Sequence, residues 1–313
     1  MTAATGLLDI VAVGEAMVEF NATRAGDPDT FVRGFGGDTS NMAIAAARLG
    51  ARAGYVSRVG DDAFGRSLMR LWADEGVDTR GVATDRTAPT GVYFVTHGAD
   101  GHEFSYLRAG SAASRMEPST LPEEVLRGAR VLHISGITQA ISGSACDAAF
   151  AAIDLATSAG ALVMYDPNLR LKLWALPRAT AMIRATAAMC NFFLPSFDDI
   201  RVLSGTTDAM AAVAWCRSVG APIVVLKCGR DGVIVSYDRH QERIAGHAVA
   251  TVDATGAGDC FDGAFAARTI EGDDPITAAR YANAAAALAT TGFGAVAPLP
   301  RDADVRALLE SAR

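Results

Sequence analysis

The run Asp253-Ala254-Thr255-Gly256-Ala257-Gly258-Asp259 joins two features that chemistry can use. Its small residues let a backbone approach a ligand closely. It leads into residues 260–270, where Phe261, Ala264, Phe265 and Ala267 fall on one side of a helical repeat. The glycines therefore open a helix, whose first free N–H groups and dipole favour an anion. Asp259 places a carboxylate in that positive end. Amides that hold charge on a moving phosphoryl group, beside a carboxylate that takes the proton of an attacking hydroxyl, make a phosphoryl-transfer site. Taken alone, the same residues also suit a tight turn and a capped helix.

The elements around this run must position it. Residues 247–252, β-branched at their end, suit a strand feeding the glycines. At the other end of the chain, residues 9–14 read as a buried strand, and residues 15–20 alternate polar and apolar like a half-exposed one. Residues 30–35 suit another short strand. Residues 91–96 and 102–107 flank His97-Gly98-Ala99-Asp100-Gly101 as a hairpin. Together, about 15–35 and 91–108 predict a small β-sheet lid, too small to fold alone. Tyr93, Tyr106 and Arg108 on it offer ring stacking, hydroxyl hydrogen bonds and a guanidinium for a carboxylate, which suits a sugar. The two tyrosines equally suit an ordinary cross-strand pair.

Gly36-Gly37-Asp38-Thr39-Ser40-Asn41 precedes an Ala-rich helix over residues 42–49, with Thr39 or Ser40 as cap and Gly50 as stop. The paired glycines let a ligand hydroxyl approach the backbone, with Asp38 and Asn41 as polar partners; a plain strand-to-helix turn uses the same residues. From residue 131 onward strands and helices alternate. Strands are expected at 131–134, 161–165, 192–194 and 223–227, with 233–237 returning after Gly229-Arg230-Asp231-Gly232. Helices are expected at 144–159 and after Pro195-Ser196, the latter carrying Asp198 and Asp199. This alternation predicts an α/β fold with a mostly parallel sheet covered on both faces. Ligands gather at the carboxyl ends of such strands, where Asp166, Asn168, Arg170, Lys227, Gly229 and Asp259 are expected.

Composition removes other classes. The 313 residues, half of them apolar, suit one domain over 1–313. A net charge of −7 with no basic run argues against nucleic acid. No apolar stretch is long enough for a membrane span. Met1-Thr2-Ala3-Ala4-Thr5-Gly6 lacks a signal-peptide pattern, so a cytoplasmic location is expected. Cys146, Cys190, Cys216, Cys228 and Cys260 are odd in number and dispersed, which fits reduced thiols. The five histidines show no metal-ligand spacing. Gly292-Phe293-Gly294-Ala295-Val296-Ala297 matches a dinucleotide fingerprint, but it follows a helix and Pro298 ends it, so it is set aside.

With Gly36-Gly37-x-x-x-Asn41 early and Asp253-x-x-Gly256-Ala257-Gly258-Asp259 late, the chain resembles the PfkB (ribokinase-like) family of carbohydrate kinases over essentially its whole length. Gly14-Glu15-Ala16-Met17-Val18-Glu19-Phe20, Tyr106-Leu107-Arg108 and Asp166-Pro167-Asn168-Leu169-Arg170 look most like the 2-keto-3-deoxygluconate kinases of that family. The resemblance implies a three-layer α/β/α ribokinase-like fold and transfer of the ATP γ-phosphoryl to a terminal sugar-acid hydroxyl, with a neutral sugar (fructose, ribose) or nucleoside acceptor as the alternative and a non-catalytic sugar-binding protein on the same fold as a further one. It implies Asp259 as base, with Gly256, Ala257 and Gly258 as the anion hole. Gly36, Gly37, Asn41, Tyr93, Tyr106, Arg108 and Arg170 would lie on the substrate side. Asn168, Arg170, Lys227, Gly229, Gly232, Gly256 and Gly258 would lie toward ATP. Relatives organise Mg²⁺ through an Asn-x-x-Glu motif; here Ser196 and Asp199 replace its polar ends, which leaves Asp199 to act through water. Some relatives bind a monovalent cation near the position of Asp253. A homodimer through the lid is expected, since an open sheet edge tends to be covered.

Overall fold

The computed structural model describes residues 7–22, 30–98 and 101–311. The expectations on residues 1–6 and on the Ala99-Asp100 turn lie outside these. β1 (Leu8–Val13) is buried along its whole length. The chain continues through β2 (Met17–Ala22), β3 (Phe31–Gly36), α1 (Asp38–Arg48), β4 (Ala53–Gly60), α2 (Ala63–Asp74), β5 (Asp78–Asp85), β6 (Val92–Gly98) and β7 (Gly101–Leu107). There follow α3 (Glu123–Arg127), β8 (Ala129–Ser135), α4 (Gly136–Ala140), α5 (Gly143–Ser158), β9 (Leu162–Asp166), α6 (Leu176–Ala187), β10 (Phe192–Phe193), α7 (Phe197–Ser204) and α8 (Ala209–Ser218). The last elements are β11 (Ile223–Lys227), β12 (Val233–Tyr237), β13 (His240–Ile244), α9 (Ala257–Ile270), α10 (Pro275–Ala289) and α11 (Asp302–Ser311).

The main sheet has nine strands in the order β13-β12-β11-β10-β9-β8-β1-β4-β5. Neighbours from β11 to β5 run parallel, and β12 is antiparallel to both of its neighbours. Successive residues of a strand point to opposite faces. Ile10, Ala12, Val131, Met164 and Val225 accordingly pack under α1, α2, α9 and α10. Val11, Val13, Leu132, Ile134, Val163 and Val224 pack under α3, α5, α6 and α8. Burial on both faces is why these strands read as continuous apolar runs. The result is the three-layer α/β/α arrangement expected from the alternating pattern.

The lid is a separate four-stranded sheet in the order β3-β2-β6-β7. Its β6–β7 hairpin sets Tyr93 opposite Tyr106. The start of β2 is buried rather than half-exposed, because Met17, Val18 and Glu19 lie where the lid joins the body.

Two local expectations are corrected. First, α1 starts at Asp38, not near residue 42, and Gly37 is its N-cap without a side-chain capping bond. The Thr39 and Ser40 hydroxyls are used by the core instead: Thr39 meets the Tyr55 hydroxyl at 3.0 Å, and Ser40 accepts from Trp72 Nε1 at 2.9 Å. Second, residues 247–252 form no strand. Beyond Ile244 the chain leaves the sheet edge, pinned to α10 where Asn283 Nδ2 donates to the Ala245 carbonyl (2.7 Å) and Val252 N–H to the Thr290 carbonyl (2.8 Å). Its hydrogen bonds go to a helix, so Asp259 follows an irregular crossing rather than a strand. The pattern does not place β5, β13, α3, α4, α6 or α8.

Candidate active site

β1 is the switch point of the main sheet, with β4 and β5 to one side and β8 onward to the other. Open parallel sheets bind ligands in the crevice above such a point. The first turns of α1 and α9 meet there: Asn41 Nδ2 donates to Asp259 Oδ2 at 2.8 Å. Gly263 makes that meeting possible. A Cβ at Gly263 would lie 2.5 Å from the Met42 carbonyl oxygen, so the two helices cross closer than any side chain allows.

α9 opens as its glycines predict. Gly256 caps it with φ 77°, and a Cβ there would lie 3.0 Å from Ala295 atoms. Both facts call for glycine. The Ala257 N–H is already given to the Ala254 carbonyl (3.2 Å), so the amides at the open end are those of Gly258 and Asp259. Ala295 belongs to the segment set aside as a false dinucleotide motif. Gly294 N–H also donates to Asp253 Oδ2 (3.0 Å), and this segment buttresses the loop.

Asp259 is flanked by charge. Burial and the neighbouring Asp38 push its carboxyl up to about 7, while Asn41 and Lys227 work against that rise. Asp38 in turn accepts from Asn168 Nδ2 (2.9 Å), which ties the end of β9 to α1. Asn168 adopts φ 33°, and its N–H donates to Asp166 Oδ1 (2.9 Å). Lys227 Nζ, at the end of β11, donates to Asp166 Oδ2 (2.8 Å) and to Asp262 Oδ1 (2.9 Å).

The lid supplies the other wall. Tyr93 stacks on Tyr106 with ring centroids 5.7 Å apart, and its hydroxyl donates to Glu19 Oε2 at 2.5 Å. Burial, then the Glu19 charge, push that hydroxyl above the usual phenol range; Asp259 adds to the rise. Gly36 and Gly37 are shaped by this wall: a Cβ would lie 2.3 Å from the Tyr93 hydroxyl at Gly36 and 2.4 Å from the Glu15 carbonyl at Gly37. The Arg108 guanidinium lies 5.8 Å from the Tyr106 ring centre and donates through Nε to Glu15 Oε2 (2.8 Å). Ser111 binds the other oxygen of Glu15, which is 2% exposed. Arg108 is thus balanced within the protein. A cavity of about 640 Å³ lies beneath the lid, between Glu19, Val32, Gly34 and Phe104 on one side and residues 293–297 on the other. It reaches Asp253 and Thr255 but not Asp259.

The structure brings Asn41, Asn168, Lys227, Gly256, Gly258 and Asp259 together, with Gly36, Gly37, Tyr93, Tyr106 and Arg108 on the lid side. Arg170 is exposed and donates to the Leu169 carbonyl (2.9 Å). Gly229 and Gly232 form the turn after β11. Gly232 is required there because a Cβ would lie 2.0 Å from the Ile244 carbonyl. Asp199 sits in the first turn of α7, with its N–H capped by Ser196 Oγ (3.0 Å). Burial and the charge of Asp166 raise its carboxyl to about 6, and Arg170 opposes the rise. Among the described residues no three His, Cys, Asp or Glu side chains form a ready metal cage. Both Asp166 oxygens are taken by Asn168 and Lys227, so the remaining donor, Asp199, suits a Mg²⁺ that keeps much of its water and is shared with phosphates. Glu15, Glu19 and Asp262 were not singled out from the sequence. For Asp262 the spacing of three from Asp259 was the available signal.

The model of the pfkB family carbohydrate kinases matches residues 7–302. This chain belongs to that family. The kinase is 34% identical to Fructokinase-1 of Oryza sativa subsp. japonica, over 97% of its length and 98% of the relative's. It is also 34% identical to the 2-dehydro-3-deoxygluconokinase of Thermoproteus tenax, over 96% of its length and 94% of the relative's. A ribokinase II-type protein of E. coli in complex with ATP and Mg²⁺ has a TM-score of 0.89 at 27% identity, covering 97% of this chain and 100% of that one. The fold is ribokinase-like, and the kinase is an ATP-dependent phosphotransferase of carbohydrates.

Proposed function

We propose that the kinase phosphorylates the terminal hydroxyl of a sugar acid, 2-keto-3-deoxygluconate, to give its 6-phosphate. The observation that carries this reading is the cluster of Tyr93, Tyr106 and Arg108 at one end of the lid. Stacked rings offer a face to the carbon chain, and the guanidinium offers a bidentate partner to a carboxylate. Asp259 takes the proton of the attacking hydroxyl. The Gly258 and Asp259 amides at the open end of α9 hold the charge that develops on the transferred group. Gly36, Gly37 and Asn41 border the sugar. ATP lies across Asn168, Arg170, Lys227, Gly229, Gly232 and Gly256. Asp199 would hold Mg²⁺ through water, where the ion would supply neutralisation of phosphate charge, and Asp253 would border a monovalent cation. Closing the lid excludes water and limits idle ATP hydrolysis. We further assign a cytoplasmic location and a homodimer through the lid, whose edge strands β3 and β7 are open on one side.

A second reading, a neutral sugar such as fructose or ribose, rests on Glu15. Its carboxylate already balances Arg108, and a neutral ligand leaves that pair intact. ADP release is measured on 2-keto-3-deoxygluconate, gluconate, fructose, ribose and adenosine, with wild type and with Arg108→Ala. Turnover on the keto acid that loses about tenfold or more in kcat/KM on Arg108→Ala supports the first reading. Turnover on fructose that is indifferent to this substitution overturns it in favour of the second.

A further inference from the structure

Lys227, Asp166 and Asp262 form an ion-pair cluster in the interior beneath the anion loop. The Lys227 side chain is 12% exposed and that of Asp262 2%. Replacing such clusters by apolar residues of equal volume is often neutral or stabilising, so stability alone does not account for one. The location suggests a use. Nζ of Lys227 lies 3.7 Å from the position a Cβ on Gly258 would occupy. The ammonium therefore stands directly behind the glycine whose amide opens the anion site. Two of its three N–H groups are taken by Asp166 and Asp262, which fixes it there.

We propose that Asp262, together with Asp166, locks the Lys227 ammonium behind Gly258 so that its charge faces both the transferred phosphoryl group and the Asp259 carboxylate, which makes Asp262 a positioning residue for phosphoryl transfer. This rests on the reading of residues 256–259 as the transfer site. The groups facing Asp259 are Asp38 and Asn41 from α1, Asp166 from β9, Lys227 from β11 and Tyr93 from the lid, while Asp262 of the same helix acts on Lys227. Lys227 is the cation that opposes the two carboxylates Asp38 and Asp166. Burial pushes the Asp262 carboxyl well up, with Asp166 adding to the rise and Lys227 opposing it. Asp166 thus balances the charge of the ammonium, and Asp262 orients it by hydrogen bond. Without Asp262 the flexible lysine keeps one anchor and can swing from Gly258.

The test compares Asp262→Leu, which keeps volume without an acceptor, with Asp262→Asn, which keeps an acceptor for the ammonium. On the sugar that wild type turns over, Leu is expected to lower kcat by about tenfold or more with little change in sugar KM, and Asn to recover most of that loss. The acid limb of the kcat/KM profile moves to higher pH in the Leu variant, because Asp259 loses its cation. In a Lys227→Met background, Asp262→Leu costs no further activity. If Leu and Asn behave alike, or if only the melting temperature falls, Asp262 is a packing residue and the proposal is overturned. Should the Leu protein not fold, Lys227→Gln decides. It keeps a donor but no charge; a normal kcat and an unmoved acid limb overturn the proposal, and a tenfold loss with a shifted limb supports it. Asp259→Asn is run alongside: full activity there overturns the reading of the transfer site instead.

Discussion

Asp259→Asn keeps the shape of the proposed base and removes its proposed function. The amide oxygen accepts from Asn41 Nδ2 as Asp259 Oδ2 does at 2.8 Å, so the contact between α1 and α9 survives. General-base catalysis contributes roughly 10²–10⁴ in rate, about 3–5 kcal/mol of the barrier. Loss of kcat by that factor is expected in an ADP-release assay, with sugar affinity by calorimetry nearly unchanged. The same substitution has a second consequence of opposite sign. The carboxyl has a folded value of about 7, raised chiefly by burial, against an ordinary value of 3.8. Between those values the folded chain retains a proton that the unfolded chain has released. Stability linked to this group is therefore full below the lower value and is lost as pH rises through the upper one. Asparagine carries no such charge. The variant is expected to melt above wild type at pH 8, with the gap closing as pH falls toward 4. Wild-type kcat/KM should fall as pH drops below about 7, in step with protonation of the base. Near-normal turnover, or a variant that melts no higher than wild type at pH 8, would refute the placement of a strained catalytic carboxylate here.

Gly256→Ala forces a side chain onto a φ of 77° and against Ala295, and should reduce kcat by about tenfold or more while the fold persists, read by ADP release and circular dichroism. Gly263→Ala drives a methyl into the Met42 carbonyl; about 1–3 kcal/mol of stability is expected to be lost in urea titration, with a fall in kcat as Asn41 moves from Asp259. Asp62→Ala removes the cap of α2, which accepts from Gly65 N–H (2.7 Å), Thr90 N–H (2.8 Å) and the Thr90 hydroxyl (2.9 Å), for about 1–2 kcal/mol. Burial opposes that carboxyl's charge, but the bonds from Thr90 and Gly65 outweigh it and hold its pKa below the usual range. The loss is thus present at neutral pH and vanishes as pH falls through that lowered value.

The glycine loop, the paired early glycines and the strand-end polar residues were legible because each depends on a local backbone requirement. Gly37 and Gly256 sit at positive φ, and Gly36 and Gly256 lie under close neighbours, so residue type alone reports the constraint. The two-sided core was legible from continuous apolar strands. What the pattern concealed depends on tertiary partners. Residues 247–252 look like a strand, yet they pair with no strand, and the Val252 amide bonds to the Thr290 carbonyl at the end of α10. Thr39 and Ser40 look like caps, yet their hydroxyls serve Tyr55 and Trp72, far along the chain. Glu15 and Glu19 looked like the polar phase of an exposed strand. Their burial against Arg108, Ser111 and Tyr93 follows from the lid folding over the body, which no local repeat encodes.

This division explains why the family is plain while fructokinases and a 2-dehydro-3-deoxygluconokinase stand at the same 34% identity. Charge stabilisation during phosphoryl transfer uses backbone amides, a helix end and one carboxylate, and those demands do not depend on the sugar. On the proposed reading they fall on residues 256–259 and Asn41. On the proposed reading, sugar recognition instead uses side chains on the lid, which forms a sheet separate from the main one. The Glu15–Arg108 pair is the part of that surface where the two substrate classes make opposite demands. A keto acid needs the guanidinium to turn from Glu15 or to be shared with it; a neutral sugar needs the pair closed. Glu15→Gln therefore separates the classes from the protein side. Loss of the internal counter-charge should tighten binding of an acid by raising the free positive charge at Arg108. It should leave a neutral sugar unaided. Competition by 2-keto-3-deoxygluconate against fructose turnover, strengthened in Glu15→Gln over wild type, is the expected result if the lid reads a carboxylate. Equal competition in the two proteins would place acid recognition away from Arg108.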